Sequence, residues 1–241
     1  MKLPLLERAL AASRDGRSAA LLTSLKSGRQ SFVEGAAATA VAGDLTLDDG
    51  LRDAVRRCLA EDRSATVESA AGPVFIEVFN PRLRCVVVGA VHIAQPLARM
   101  AALAGYLVTI VDPRTAFAND ERFPGIALST DWPDEALQKL KPDRRTAIVT
   151  VTHDPKIDDP ALIEALRSDA FYIGALGSKK THAARLGRLS REGFGDADFA
   201  RIHGPIGLDI GAISPAEIAV SIVAQMTLVL RGTRRDKAKA A

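Results

Sequence analysis

The spacing of apolar and polar positions divides the chain into two parts that meet near Asn80-Pro81. In the first part, Leu3–Ala12 carries helical apolar spacing. Asp48–Ala60 repeats it, with Leu51, Val55 and Leu59 on one face behind an acidic first turn. Between these helices, Ala19–Ser24 and Gln30–Val33 flank Ser27-Gly28-Arg29, the pattern of a hairpin. Thr66–Glu68 and Val74–Phe79 read as strands parted by Ala71-Gly72-Pro73, and Pro81 ends the second because proline cannot donate to a ladder. A small α+β domain over residues 1–80 is expected.

Beyond Pro81 the rhythm becomes strand, helix, strand. Leu83–Val88 is a β-branched apolar run ending at Gly89, and His92–Ala104 has helical spacing closed by Gly105. Leu107–Val111 follows, so that Leu83 to Val111 has the roughly 30-residue length of one βαβ unit. Further strands are expected at Ala127–Ser129, Ala147–Val151 and Tyr172–Leu176, with helices over Asp134–Leu140, Pro160–Arg167 and Thr181–Arg191. The last helix has the clearest start. Ser214 as N-cap, Pro215 at N1 and Glu217 at N3 form a capping box ahead of the stripe Ile218, Ile222, Met226 and Val229. Near-continuous apolar strands alternating with helices require cover on both faces. They predict an α/β, Rossmann-like, mostly parallel sheet over 81–232, followed by a basic tail over 233–241.

Composition is that of a globular protein, 47% hydrophobic and 25% charged, and it is the charge that needs locating. The net charge of +3 invites a nucleic-acid partner. After Leu230, however, Arg231, Arg234, Arg235, Lys237 and Lys239 oppose Asp236 alone, and removing that local +4 leaves −1 for the rest. The basicity belongs to the tail, so no nucleic acid is expected. Two cysteines, Cys58 and Cys85, without a CxxC or a Cys/His cluster, exclude a disulfide framework and a zinc site of the usual spacing. They suit a reducing cytosol. The opening Met-Lys-Leu-Pro-Leu-Leu-Glu-Arg meets charge before it reaches signal-peptide length, and no window approaches a membrane span of about 18 apolar residues. A cytoplasmic protein without a membrane partner is expected.

Ligands of a parallel α/β sheet gather beyond the carboxyl ends of its strands. The polar residues fall there: Gly89-Ala90-Val91-His92, Asp112-Pro113-Arg114, Thr152-His153-Asp154 and Gly177-Ser178-Lys179-Lys180. A dinucleotide fingerprint would read Gly-x-Gly-x-x-Gly/Ala, and Asp112, 23 positions after Gly89, has the spacing of a ribose-binding carboxylate. Val91 stands where that fingerprint needs its second glycine. The side chain obstructs a pyrophosphate and resists positive φ, which argues against NAD(P). Gly177-Ser178-Lys179-Lys180 opens a helix, where free N–H groups and two ammonium groups suit a phosphate or exposed lysines alone. His153 is a candidate for cleft chemistry or for a loop role, and His92 faces the altered loop as a donor or a helix cap. His182 and His203 read as structural or exposed. Arg114, Arg122 and Asp209 add polar groups for a ligand rich in hydrogen bonds. No nucleophile–base pair and no metal cluster is assignable, and both cysteines read as inert core.

These segments resemble the xanthine dehydrogenase accessory protein family (XdhC/CoxI type). The resemblance is carried by Val86–Ala94, Val111-Asp112-Pro113-Arg114, Glu121-Arg122-Phe123-Pro124, Thr152-His153-Asp154-Pro155, Tyr172–Ser178, Pro205–Ala212 and Ser214–Ala219. It implies a maturation factor that binds molybdenum cofactor transiently and assists its delivery to a molybdenum hydroxylase client. The residues expected to hold the cofactor are those of the strand-end loops, Gly89, Ala90, Val91, His92, Asp112, Arg114, His153, Asp154, Gly177, Ser178, Lys179 and Lys180, and the resemblance implies a chaperone more than a catalyst.

The sequence departs from the family at two points. The family's first loop reads Gly-x-Gly-His, which Val91 breaks, and its N-terminal domain carries a Gly-Gly-Gly-Cys segment that residues 1–80 lack. A thiol would then come from a cysteine desulfurase, a companion protein with the missing segment, or the client, and a homodimer is compatible with the sequence. Two other readings stand beside this one: an NAD(P)-dependent oxidoreductase using Asp112 for ribose, and a nucleotide-sensing module without chemistry. Fold alone does not separate them.

Overall fold

A computed structural model of the chain describes residues 3–35, 38, 40–70 and 72–239. Two compact units are formed, Met1–Arg82 and Leu83–Ala241. Ala71, in the turn expected at 71–73, lies outside the described residues.

The first unit contains α1 (Leu3–Arg14), β1 (Ala19–Ser24), β2 (Gln30–Glu34), β3 (Ala40–Gly43), α2 (Asp49–Glu61), β4 (Ala65–Ser69) and β5 (Gly72–Phe79). Among the described residues its strands pair antiparallel in the order β3-β2-β1-β5-β4. The β1–β2 hairpin closes where Ser24 N–H donates to the Arg29 carbonyl at 2.9 Å. Asp48 caps α2 by accepting from Leu51 N–H at 2.7 Å, and Leu51, Val55 and Leu59 turn inward as their spacing predicts. Among the described residues of this unit, β3 goes unannounced. Its Ala-Val-Ala-Gly sequence has a single strong strand former, and pairing with β2 supplies the rest.

The second unit contains β6 (Arg84–Val88), α3 (Ala94–Leu103), β7 (Leu107–Val111), β8 (Ala127–Ser129), α4 (Pro133–Leu140), β9 (Thr146–Thr150), α5 (Pro155–Arg167), β10 (Tyr172–Ala175), α6 (Lys179–Arg191), α7 (Asp196–Phe199), β11 (Ile202–His203) and α8 (Pro215–Lys239). Its sheet runs in the order β11-β10-β9-β6-β7-β8, with every pairing parallel. Alternate residues of β6 feed the two faces. Val87 packs with Leu97, Ala101, Ile222 and Met226 beneath α3 and α8, whereas Val86 and Val88 pack with Leu137, Leu162 and Leu189 beneath α4, α5 and α6. Each fully buried aliphatic side chain contributes roughly 2 kcal/mol.

Several helix boundaries differ from expectation, and α7 and β11 go unannounced. α5 starts at Pro155 instead of Pro160, because Asp154 caps it by accepting from Lys156 N–H at 3.0 Å and Pro155 fills the N1 position. Pro160 therefore lies inside the helix. α6 starts at Lys179, two residues early, with Ser178 as its cap. α3 starts at Ala94, because residues 91–93 form a turn closed by Ala94 N–H on the Val91 carbonyl. α8 shows the expected capping box: Ser214 N–H donates to Glu217 Oε2 at 2.7 Å, and Glu217 N–H to Ser214 Oγ at 3.3 Å. It runs on to Lys239, so residues 233–239 of the expected tail continue a helix, and residues 240–241 lie outside the described residues. No helix among the described residues is long and apolar enough to cross a membrane.

Candidate functional site

Register decides which loops share an edge. Val88 pairs with Val111 on one side and Thr150 on the other, and Thr150 pairs with Ala175. The strands β10, β9, β6 and β7 therefore end on one line, and the four polar loops leave from the same edge. The chain places β7 and β8 on one side of β6 and β9 to β11 on the other, so the direction of winding reverses between β6 and β9. In open α/β sheets the ligand crevice lies at that switch point.

Three contacts join the loops across this edge. Asp112, fully buried after β7, accepts from Ala90 N–H at 2.8 Å and holds the turn after β6. Gly89, with φ +109°, lies so close to the end of β9 that a Cβ would overlap Thr152 Cγ2. On the far side, buried Asp158 accepts from Thr152 Oγ1 at 2.6 Å and from His153 N–H at 3.1 Å. Its third partner is Arg185, whose Nη2 lies 3.4 Å from Asp158 and donates to the Leu176 carbonyl at 2.9 Å. The loops after β7, β6, β9 and β10 form one connected frame.

Electrostatics follow from these partners. Burial alone would raise the carboxyl pKa of Asp112, but hydrogen bonds from Arg114 and from Ala90 N–H prevail and hold it below the usual carboxylate range. Arg114 reaches both oxygens, at 2.9 and 2.8 Å, and its guanidinium stacks 4.6 Å from the Phe117 ring centre. Arg122 braces the same turn by donating to the Ala90 carbonyl at 2.7 Å. Asp158 behaves oppositely: desolvation outweighs its donors and raises its pKa, and burial lowers that of Arg185.

The twelve residues expected at the site thus divide by role. His92, His153, Ser178, Lys179 and Lys180 are exposed at the edge. Asp112 and Ala90 are buried and bonded to each other, Gly89 and Gly177 permit positive φ, and Asp154 and Ser178 cap helices. Val91 keeps out of the positive-φ region, so it sits there without strain, whereas His153 adopts φ +65°. His203 stacks on Tyr172 at 4.8 Å and, like half-buried His182, has a pKa lowered by desolvation.

Sequence reasoning missed the Asp158–Arg185 pair, because charged residues on helices ordinarily mark solvated faces. It also missed a clamp on the 205–212 loop. Gln225 accepts from Gly207 N–H at 2.9 Å, donates to the Gly207 carbonyl at 3.2 Å, and accepts from Tyr172 OH at 2.6 Å. Beside that loop lies a cavity of about 490 Å³, and Lys179 alone of the twelve lines it. Among the described residues, no group of three or more His, Cys, Asp or Glu side chains lies close enough to hold a metal.

A parallel sheet with its switch point framed in this way defines a Rossmann-type domain. Residues 85–226 match the family described as XdhC Rossmann domain, and the chain belongs to that family, as the motifs implied. The chain is similar to a protein of Bacillus subtilis (strain 168) named as a probable subunit of xanthine dehydrogenase. The two are 34% identical over 154 residues, which are 64% of this chain and 44% of that protein. The chain is 30% identical over 151 residues to the Molybdenum cofactor insertion chaperone PaoD of Escherichia coli (strain K12), covering 63% of this chain and 41% of PaoD. The matches therefore span less than half the length of these relatives. A crystal structure described as a xanthine dehydrogenase from Bacillus halodurans shares the fold, with a TM-score of 0.75 and 23% identity over 96% of this chain and 68% of the other.

Proposed function

We propose that this chain is a maturation factor that binds molybdenum cofactor transiently and assists its delivery to a molybdenum hydroxylase. The carrying observation is the framed edge, where His92, His153, Lys179 and Lys180 stand exposed on loops held rigid from beneath. The similarity to PaoD supports the same reading. The donor set suits the group. A phosphate needs cations and free helix-start amides, which α6 offers beside Lys179 and Lys180, and a pyranopterin needs many polar partners along an open face. When bound, the cofactor contributes its metal and dithiolene, and the chain contributes orientation and a place to release from.

The cysteines support the carrier role. Cys85 is fully buried in β6, and desolvation pushes its thiol up to about 12. Cys58 is buried in α2, and desolvation raises its pKa as well. Neither offers a thiolate near neutral pH. A thiol-dependent step then draws on a thiol outside these residues, such as that of a cysteine desulfurase, a companion protein or the client.

Capture tests the reading. The tagged chain is expressed in a cofactor-producing host, and copurifying pterin is oxidised and measured by fluorescence. Wild type is expected to retain molybdopterin, and the Lys179→Gln/Lys180→Gln double variant about tenfold less, as losing charge-assisted bonds to a phosphate predicts. If wild type retains none and a deletion strain keeps a fully active hydroxylase, the proposal fails.

A further inference from the structure

We infer that the cavity beside β10 is a pterin pocket, in which Asp209 reads the 2-amino edge of the ring and Lys179 marks where the phosphate-bearing end leaves. This deepens the maturation reading and rests on it. The cavity, of about 490 Å³, is lined by the β10–α6 turn (Leu176, Lys179), the 205–212 loop, and Ile218 and Ser221 of α8. That volume accommodates a bicyclic heteroaromatic ring. Its lining is largely apolar side chain and backbone, with one cation and one carboxylate. Asp209 is exposed and, among the described residues, has neither an ion-pair nor a hydrogen-bond partner; the same holds for the Lys179 ammonium.

A pterin presents its 2-amino group and N3–H side by side, two donors in one plane that a carboxylate accepts with both oxygens. Its phosphate end needs a cation away from that edge. The cavity lining supplies one group of each kind, and Lys179 is also the first residue of α6, so the ring pocket and the helix-start anion site are continuous.

The pocket is held open before any ligand arrives. Gly207, at φ +92°, lies so close to α8 that a Cβ would overlap Ser221 Oγ. The Gln225 amide grips both backbone groups of Gly207, and Tyr172 fixes the amide from β10. Leu208 N–H donates to the Ser221 carbonyl at 3.2 Å. A loop tied at two successive residues loses little further entropy on binding, which is what a preformed pocket requires.

Titration of the full chain with free pterin, lumazine and GMP, followed by fluorescence or calorimetry, tests the inference. Lumazine carries a 2-oxo group in place of the 2-amino group and turns an acceptor toward Asp209. GMP carries the same donor edge on a purine. Pterin is expected to bind at least about tenfold more tightly than lumazine, a difference of about 1.4 kcal/mol. Asp209→Asn should reduce pterin to the level of lumazine without changing the melting temperature. Gln225→Leu, which releases the loop, should weaken both probes alike while circular dichroism stays native. Equal binding of pterin and lumazine, a preference that survives Asp209→Asn, tighter binding of GMP than of pterin, or no pterin saturation by about 10 mM would each overturn the pocket. A chain that captures molybdopterin yet shows any of these handles the cofactor elsewhere on its surface. A chain that discriminates the probes but captures no molybdopterin keeps the pocket and loses the maturation role.

Discussion

The carboxylate of Asp112 accepts from the backbone N–H of Ala90 at 2.8 Å, and this bond ties the end of β7 to the turn that follows β6. With Arg114 on both oxygens, the charge of Asp112 serves the protein's own loops. Removing it should therefore cost stability first. Asp112→Asn is expected to destabilise the chain by about 2–3 kcal/mol at neutral pH, because one acceptor oxygen becomes an NH2 facing a buried donor and the guanidinium loses its countercharge. The folded pKa of Asp112 lies below its ordinary value, so its contribution is complete above about pH 4 and is lost as pH falls through the folded pKa. Urea melts of wild type and variant should converge below about pH 4. A gap that stays constant to about pH 2.5 would remove charge as the source.

Gly89 offers a second test of the frame. Gly89→Ala adds a Cβ against Thr152 Cγ2 and forces an alanine to φ +109°, so a loss of at least about 2 kcal/mol is expected in thermal melts. Thr152→Ser removes the clashing methyl and keeps the hydroxyl that bonds Asp158. The double variant should recover part of the loss, with the φ strain remaining. No recovery would show that backbone conformation alone sets the cost.

Dinucleotide binding should be weak. A ribose-binding carboxylate must have free oxygens, and those of Asp112 are taken by Ala90 and Arg114. The N–H groups of Gly89 and Ala90, which a pyrophosphate would need, donate inward to the Val111 carbonyl and to Asp112. Titration with NAD and NADP is expected to give Kd above about 0.1 mM, roughly −5.5 kcal/mol or weaker. Val91→Gly should not restore tight binding on its own, since it frees neither Asp112 nor these amides. A low-micromolar Kd for wild type would revive the oxidoreductase reading.

Neither cysteine should be required for client activation. Cys58→Ser and Cys85→Ser are expected to complement a gene deletion, with Cys85→Ser costing about 1–2 kcal/mol because a hydroxyl enters an apolar strand face. If either folded variant leaves the hydroxylase without active cofactor, a thiol of this chain is essential and the carrier model falls.

Much of this was legible in the order of the residues. The 83–111 βαβ unit, the β1–β2 hairpin and the Ser214–Glu217 capping box are local. Each follows from periodicity, turn chemistry or caps within a few residues, and short-range backbone bonding satisfies them. The placement of the polar loops at strand ends was equally readable, because a parallel sheet puts every carboxyl end on one edge. What these residues do there was not. Asp112 looked like a ribose ligand by its spacing and is a loop clamp by its contacts. Asp158 and Arg185 looked like solvated charges and are a buried pair. Gln225, ordinary on a helix, reaches back 18 residues to grip Gly207 and 53 to meet Tyr172. Sequence determined the elements and the family because both depend on local pattern. Tertiary structure alone decided which polar groups are consumed inside the protein and which remain for a ligand, because that choice depends on partners brought together by strand register and helix packing.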